Sequence, residues 1–267
     1  MKCLRIFSYL PNPRVWKATI AARFVGVDVE VRGAPSSELK NWLWDFDARP
    51  LTDGDRRTYA SSARTGRMGF TSTSLFKTDA FMDAQPFGTV PAAFSGDGST
   101  GIFESNSIMR AVARIGAVAF PLYGRDPYEA SRIDSFLDAS LVFARDTQIY
   151  LLTLYGGTVD QLAHSRAKQA FEIYVSGLER ALSPTRSSFV GDNLTLADIC
   201  FCTEIALLMN ERSHSKQLSE RGLSKIVDDA AQTEFPRVFA HFRHLVEHEH
   251  FKPDIKPYLE KLSAARP

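Results

Sequence analysis

The sequence predicts two domains of different class, an α+β domain with the order βαβ-ββα followed by a domain built of helices. Short apolar strand patterns and a Gly-rich hairpin turn lie in the first part of the chain. After the linker "FPLYGRDPYEA" the strand patterns stop and long helical patterns follow. We therefore place the first domain at residues 1–118, with an insertion at about 36–76, and the all-helical domain at residues 126–267.

The composition is that of a globular protein of 267 residues, 44% hydrophobic and 24% charged, with a formal net charge of +1. A net charge so small gives no reason to expect a nucleic-acid partner. The apolar runs are shorter than a membrane span, and the N-terminus "MKCLRIFSYLPNPR" lacks the layout of a signal peptide. The three cysteines make no disulfide framework. We therefore expect a cytoplasmic protein without a nucleic-acid or membrane partner.

The first domain opens with a predicted strand–helix–strand unit. The run "CLRIFSY" is a short apolar strand that ends at the turn "LPNPR". The next run, "VWKATIAARFVG", has helical spacing and ends at Gly26, and "VDVEVRGA" alternates as a half-buried strand does. Such a crossover normally joins parallel strands.

Residues 36–76 interrupt this order. They show no sustained period and are rich in Ser, Thr, Arg, Asp and Gly, yet they contain Trp42, Trp44 and Phe46. A connection of this length in a compact domain is usually a functional lid or a mobile insertion. Two interpretations stay open, a disordered surface loop and a segment whose aromatic residues pack against another surface, and the aromatic cluster favours the second slightly.

A second unit, strand–strand–helix, follows the insertion. The runs "TVPAAFS" and "TGIFES" bracket "GDGS" and predict an antiparallel hairpin, and "SNSIMRAVARIG" predicts a helix. Pro91 lies at a strand start, where proline is tolerated and where a cis bond can occur. A packed hairpin does not need Glu104 and Ser105 at the start of the next helix. This pair therefore indicates a receptor for an anion or for a peptide end.

Four stretches after the linker predict the helices of the second domain. One of them starts with "TLAD", in which Thr195 and Asp198 have the spacing of a capping box. The stretches are "PYEASRIDSFLDASLVFARDTQIYLLTLY", "VDQLAHSRAKQAFEIYVSGLERAL", "LTLADICFCTEIALLMNE" and "FPRVFAHFRHLVEH".

This order of elements, with "VP" and then "ES", resembles the glutathione transferase superfamily. The segments "GTVPAAF" and "GIFESNSIMRAVARI" resemble its glutathione site, and "SSFVGDNLTLADICFCTEI" resembles its helix-capping segment. Within the superfamily the sequence is most similar to the transferase-like domain of elongation factor 1-gamma. The helix after "NPRVWK" is also similar to that of etherase-like transferases. The resemblance covers about residues 1–35 and 77–260. It implies the glutathione transferase fold, with a thioredoxin-like first domain.

The resemblance also implies that glutathione binds as a co-substrate. Val90, before Pro91, would offer its backbone N–H and C=O to the cysteinyl part, as an added strand does at a sheet edge. Glu104 would pair with the γ-glutamyl ammonium. Ser105 would bind the γ-glutamyl carboxylate at a helix start, where the helix dipole favours an anion. The alternative is that Ser105 only caps its helix and that Glu104 supplies first-turn charge.

A transferase of this kind needs a hydrogen-bond donor after the first strand to stabilise the glutathione thiolate. The tyrosine, serine or cysteine common in the superfamily is not obvious at the expected place. Asn12 has an amide that could donate to the thiolate, Arg14 adds positive charge near the helix start, and Ser8 lies at the strand end. The alternative for Asn12 is a turn or N-cap residue before Pro13.

Two functions follow from the resemblance. The first is a glutathione-dependent transferase that acts on a hydrophobic electrophile, with aryl ethers and aryl halides as candidates, in the manner of a β-etherase. The second is a non-catalytic protein-interaction module similar to that of elongation factor 1-gamma. The missing tyrosine or serine favours the second. Length favours the first, because a full elongation factor subunit would continue past "LSAARP" into a charged linker and another domain.

We favour the enzyme, and we expect a homodimer or a heterodimer. We expect no metal site. Although His241, His244 and His248 lie near one face of a predicted helix, this segment resembles the closing helix of the superfamily, which has no metal role.

Overall fold

The computed structural model of the chain describes residues 3–66, 70–71, 74–116, 120–182 and 186–264. The chain divides into two compact units, Met1–Phe120 and Pro121–Pro267. The predicted domain end at residue 118 and residues 67–69 and 72–73 of the predicted insertion lie outside the described residues.

The first unit combines two small sheets with four helices among its described residues. Its elements are β1 (Leu4–Tyr9), α1 (Pro13–Val25), β2 (Val29–Ala34), β3 (Trp42–Trp44), β4 (Arg49–Pro50), α2 (Asp53–Thr58), β5 (Ala63–Thr65), β6 (Ser74–Lys77), α3 (Asp79–Ala84), β7 (Ala92–Ser95), β8 (Gly101–Phe103) and α4 (Ser105–Ile115).

The main sheet has the strand order β2-β1-β7-β8. Strand β1 pairs in parallel with β2, across the α1 crossover, and antiparallel with β7, which forms a hairpin with β8. Helices α1 and α4 pack against each other. The predicted βαβ-ββα order of the first unit is therefore confirmed, with the parallel pair where the crossover requires it.

Strand β1 is buried on both of its faces. Ile6 is 0% exposed and Phe7 is 1% exposed, and neighbouring side chains in a strand point to opposite faces. The Phe7 side chain belongs to a cluster of buried apolar residues that includes Leu39, Trp44 and Leu75 from the segment between β2 and α3. One face of the main sheet is therefore covered by the predicted insertion.

The insertion forms a second sheet of strand order β4-β3-β6-β5, so its described part is not a structureless loop. Trp44 is 1% exposed, its Nε1 donates to the Leu39 carbonyl at 3.0 Å, and its ring meets that of Phe7 edge to face at 5.3 Å. Of the two interpretations left open by the sequence, packing against the domain is the one observed. Strands of two to four residues are too short to show a period, which explains why the sequence pattern missed them.

An ion-pair network ties the insertion to strands β1 and β2 of the main sheet. The Arg5 guanidinium bonds to Glu30 at 2.9 Å and to Asp47 at 2.5 Å, and Arg32 bonds to Glu30 at 2.8 Å. The hydrogen bond from Arg32, together with that from Arg5, lowers the pKa of Glu30 to about 2. Glu30 therefore remains charged, and bound to both arginines, well below neutral pH.

The second unit is built of helices in its described residues, in agreement with the predicted class. They are α5 (Pro127–Tyr155), α6 (Gln161–Ala181), α7 (Leu196–Leu208), α8 (Ser215–Glu220), α9 (Asp229–Glu234), α10 (Pro236–Glu247) and α11 (Lys252–Ala264). Within the described ranges, no helix has the length and apolar character that crossing a membrane requires.

The predicted capping box at the start of α7 is present. The Thr195 side chain accepts from the helix backbone, and Asp198 Oδ2 accepts from the Thr195 N–H at 2.8 Å. The other oxygen of the Asp198 carboxylate is 2.8 Å from His241 Nε2 on α10. This pair lies in the interior, where it links two helices of the second unit.

We predict that Trp44→Ala lowers the free energy of unfolding by about 3–5 kcal/mol, because it leaves a large cavity in the cluster beside Phe7. The measurement is denaturation by urea, with Thr58→Ala, an exposed position in the same segment, as the control. If both variants unfold like the natural protein, the insertion does not contribute to the core.

Candidate functional site

The strand register of the main sheet brings the sequence-predicted site residues to one end of the sheet. Ala92 of β7 pairs with Phe7 of β1 on one side and with Phe103 of β8 on the other. Three chain segments therefore lie next to one another at this end of the sheet: the one after Phe7, the one before Ala92 and the one after Phe103. These segments contain Ser8, Asn12 and Arg14 after Phe7, Val90 and Pro91 before Ala92, and Glu104 and Ser105 after Phe103.

Asn12 is the N-cap residue of α1. Its Oδ1 accepts from the Arg14 N–H at 2.9 Å, and its Nδ2 donates to Ser8 Oγ at 3.0 Å. Pro13 occupies the first helical position, where a missing N–H breaks no helical hydrogen bond. The contacts of Asn12 are therefore those of a helix N-cap residue, which was the alternative to a thiolate donor.

Burial restricts what this turn can do for a thiolate. Ser8 and Asn12 are both 0% exposed, so a bound sulfur can reach neither side chain unless the turn rearranges. Arg14 is partly exposed on the first turn of α1. The thiol-stabilising role of Asn12, Arg14 and Ser8 stays a prediction, and Arg14 is the one of the three with a side chain at the surface.

Val90 and Pro91 follow a loop that is held from two directions. The peptide bond between them is cis. Lys77 of β6 donates through Nζ to the Gly88 carbonyl at 2.6 Å, and Gln85 Nε2 donates to the Thr89 carbonyl at 3.0 Å. Val90 itself precedes the paired part of β7, which begins at Ala92. Strand β6, through Lys77, therefore holds the loop that presents the Val90 backbone.

Glu104 joins β8 to α4 with a φ of 65°. Non-glycine residues rarely adopt this left-handed φ, and Glu104 is the non-glycine residue that has it in the described part of the chain. It occupies the N-cap position of α4, where no side-chain capping hydrogen bond forms. Ser105 is the first residue of the helix rather than its cap, so the capping alternative for Ser105 is wrong. A strained backbone of this kind is frequent at binding sites.

Lys17, a side chain that contacts the start of α4, was not predicted from the sequence. Lys17 lies on α1 and is 1% exposed, and its Nζ donates to Ser105 Oγ at 3.2 Å and to Asn106 Oδ1 at 2.8 Å. Its position in the run "VWKATIAARF", among apolar residues, was the available signal. A charged residue within an apolar helical run is seldom buried without a specific partner.

The described residues contain no group of three or more His, Cys, Asp and Glu side chains arranged to hold a metal ion. The helix α10, on which a histidine cluster was considered, has His241 engaged with Asp198.

Two curated relatives are similar over nearly the whole chain, although no protein-family model matches it. A probable elongation factor 1-gamma of Arabidopsis thaliana is 27% identical over 256 residues, which are 93% of this chain and 48% of the relative. The chain thus spans about half the length of that relative. The glutathione S-transferase-like protein LUC7 of a Fusarium species is 25% identical over 256 residues, 95% of this chain and 93% of the relative.

The fold of the chain is similar to that of solved structures. A glutathione S-transferase-like protein of Lodderomyces elongisporus superposes with a TM-score of 0.68 at 19% identity, over 95% of each chain. The protein has the glutathione transferase fold. A glutathione S-transferase of Methylobacillus flagellatus, with glutathione bound, superposes with a TM-score of 0.63 at 13% identity over 94% of this chain and 98% of its own. The predicted fold class and the resemblance to the glutathione transferase superfamily are confirmed.

We predict that Asn12→Ala lowers the free energy of unfolding by about 1 kcal/mol, because the N-cap hydrogen bond of α1 is lost. Asn12→Ser is the matched control, since serine caps helices about as well as asparagine. Urea denaturation of both variants checks this, and an equal loss in the two would contradict the capping role.

Proposed function

We propose that the protein is a glutathione-dependent transferase that acts on a hydrophobic electrophile. The observation that carries this proposal is the left-handed backbone of Glu104 ahead of a helix start without a side-chain cap, next to the Val90–Pro91 pair. A peptide with a free α-amino group and a free α-carboxylate group fits a helix start of this kind. The glutathione bound in the Methylobacillus flagellatus structure supports the choice of ligand.

In this proposal the cysteinyl part and the γ-glutamyl end of the ligand have partners in the first unit. The Val90 backbone pairs with the cysteinyl part, with Pro91 fixing the chain direction after it. Glu104, which is exposed, pairs with the γ-glutamyl ammonium. Ser105 donates to the γ-glutamyl carboxylate through its hydroxyl and backbone N–H, where the dipole of α4 favours the anion.

We predict that Ser105→Ala weakens glutathione binding by a free energy of about 1.5–3 kcal/mol, the range for a hydrogen bond to a charged group. The matched control is Ser107→Ala on the same helix, which should bind like the natural protein. Calorimetric titration measures both. Unchanged affinity in a folded Ser105→Ala variant would reject Ser105 as a glutathione ligand.

The proposed reaction is attack of the glutathione thiolate on an electrophilic carbon. A carbon–sulfur bond forms, and the carbon–halogen or carbon–oxygen bond breaks with the electron pair leaving on the halide or aryloxide. Aryl halides and β-aryl ethers are the candidate substrates, and the β-etherase-like subtype belongs to this proposal. The test is conjugation of 1-chloro-2,4-dinitrobenzene and cleavage of a β-aryl ether by the natural protein. Thioether formation with either one supports the enzyme.

A second candidate function is a non-catalytic interaction module. The observation that favours it is the burial of Ser8 and Asn12, which removes two of the three predicted thiol-stabilising side chains from the surface. The similarity to elongation factor 1-gamma points to the same function. Glutathione binding without conjugation of any aryl electrophile would favour this module over the enzyme.

We also propose that the protein forms a dimer through α5 and α6. Val142 and Ile173 are 61% and 69% exposed on these helices and border a groove of about 390 Å³. Phe143 and Tyr174 line the same groove with rings stacked at 4.8 Å. Exposed apolar side chains grouped in this way are typical of a protein interface. Whether the partner is a second copy or a related chain decides between a homodimer and a heterodimer.

If copies of the chain pair through this groove, Ile173→Glu should raise the dimer dissociation constant about tenfold or more, because an unpaired carboxylate would be buried. Ser176→Glu, exposed on the same helix, is the control. Sedimentation over a range of concentrations measures both variants. A natural protein that sediments as a monomer at all of them would overturn the homodimer.

A further inference from the structure

Lys17 is a fully buried cation directly behind the proposed glutathione site. It extends from α1 to the start of α4 and is 1% exposed. Its Nζ lies 3.2 Å from Ser105 Oγ and 2.8 Å from Asn106 Oδ1. Lysine is rarely buried to this extent, because removing an ammonium from water is costly. Such a placement requires hydrogen-bond partners, and Ser105 and Asn106 are two of them.

The first consequence concerns the direction of the hydrogen bonds. An ammonium group has three N–H donors and no acceptor, so the Ser105 oxygen must accept from Lys17. The proton of the Ser105 hydroxyl is then available to a different acceptor. Asn106, 2% exposed, accepts a second N–H and holds the ammonium in place. Lys17 therefore sets Ser105 as a donor, the role that a carboxylate ligand requires.

The second consequence concerns charge. The Lys17 ammonium stands next to the first helical residue of α4, where the helix dipole is already positive. Water reaches little of this site, because Ser105 is 9% exposed, so solvent screens the charge weakly. The Lys17 ammonium and the helix dipole both attract an anion at the Ser105 hydroxyl, whereas they do not attract a neutral group there.

We propose that Lys17 is a positioning residue for the α-carboxylate of the γ-glutamyl end of glutathione, acting through the Ser105 hydroxyl and through its own charge. This inference rests on the proposed function, in which Ser105 binds that carboxylate. The inference adds that the site binds ligands with a free α-carboxylate more tightly than ligands without one. Lys17 contributes part of this difference in affinity.

The test compares two ligands and two proteins. The ligands are glutathione and 4-aminobutyryl-cysteinylglycine, which keeps the ammonium and lacks the α-carboxylate. Lys17→Met replaces the ammonium by an apolar side chain of similar length. Calorimetric titration should show glutathione bound about tenfold more weakly by Lys17→Met, the loss expected for a charge-assisted hydrogen bond. The affinity for the analogue should be the same in both proteins.

A structural role of Lys17 would give a different result. Distortion of the site would weaken both ligands alike, and that outcome overturns the proposal, as does unchanged glutathione affinity. In a Ser105→Ala background the effect of Lys17→Met should shrink, because the hydroxyl through which it acts is absent. Fully additive losses would overturn action through Ser105.

Folding is checked by thermal unfolding of each variant. Should Lys17→Met fail to fold, Lys17→Gln carries the same comparison, since its amide retains N–H donors while the charge is gone. A loss specific to glutathione is again expected. If the natural protein does not bind glutathione at all, the proposed function fails and this inference fails with it. If the natural protein binds glutathione and the variants bind it equally well, only the inference fails.

Discussion

The fold of the first unit depends on β1 being buried on both faces. A strand in this position needs an apolar layer on each side, and the chain supplies two different ones. The crossover helix α1 packs against α4 to form one layer, and the inserted segment supplies the aromatic cluster around Phe7 for the other. Because β1 is held in this way, three strand termini meet at one end of the sheet: the end of β1, the start of β7 and the end of β8. The candidate site lies at this end of the sheet, and the insertion supports it by packing against β1.

The order of the main elements could be predicted from the sequence because each has a local signature. The β1–α1–β2 unit has a change of period at a proline turn, and the β7–β8 hairpin has Gly-rich turn residues. The second sheet has no such signature. Strand β3 has three residues and β6 has four, and they pair in parallel across a long stretch of chain. Trp44 of β3 and Leu75 of β6 pack in the same cluster as Phe7 of β1, and no local pattern encodes these long-range contacts.

The site could be predicted in part for the same reason. Val90, Pro91, Glu104 and Ser105 lie in short motifs, and the register then places them together. Lys17 is different, because its partners are 88 and 89 residues away in the chain. Helix α1 is also buried over most of its surface, so its residues show no clear apolar face from which an inward lysine would stand out. Asn12 shows a further limit: its residue type suits a helix cap and a thiolate donor equally well, and only its contact with Ser8 shows which way the amide points.

The residues proposed to bind glutathione and those predicted to stabilise its thiolate belong to different elements of the first unit. The groups proposed to hold glutathione belong to the β7–β8 hairpin, the start of α4 and the lysine behind it, and none of them lies in the β1–α1 turn. The groups that would stabilise the thiolate all lie at that turn, where the Asn12 amide is directed at Ser8 and only Arg14 of the predicted three reaches the surface. On the proposed function, a change in this turn alone would alter thiol activation without altering the residues that bind the ammonium and α-carboxylate of the γ-glutamyl end. The relatives similar to this chain include both an elongation factor 1-gamma and a glutathione S-transferase-like protein.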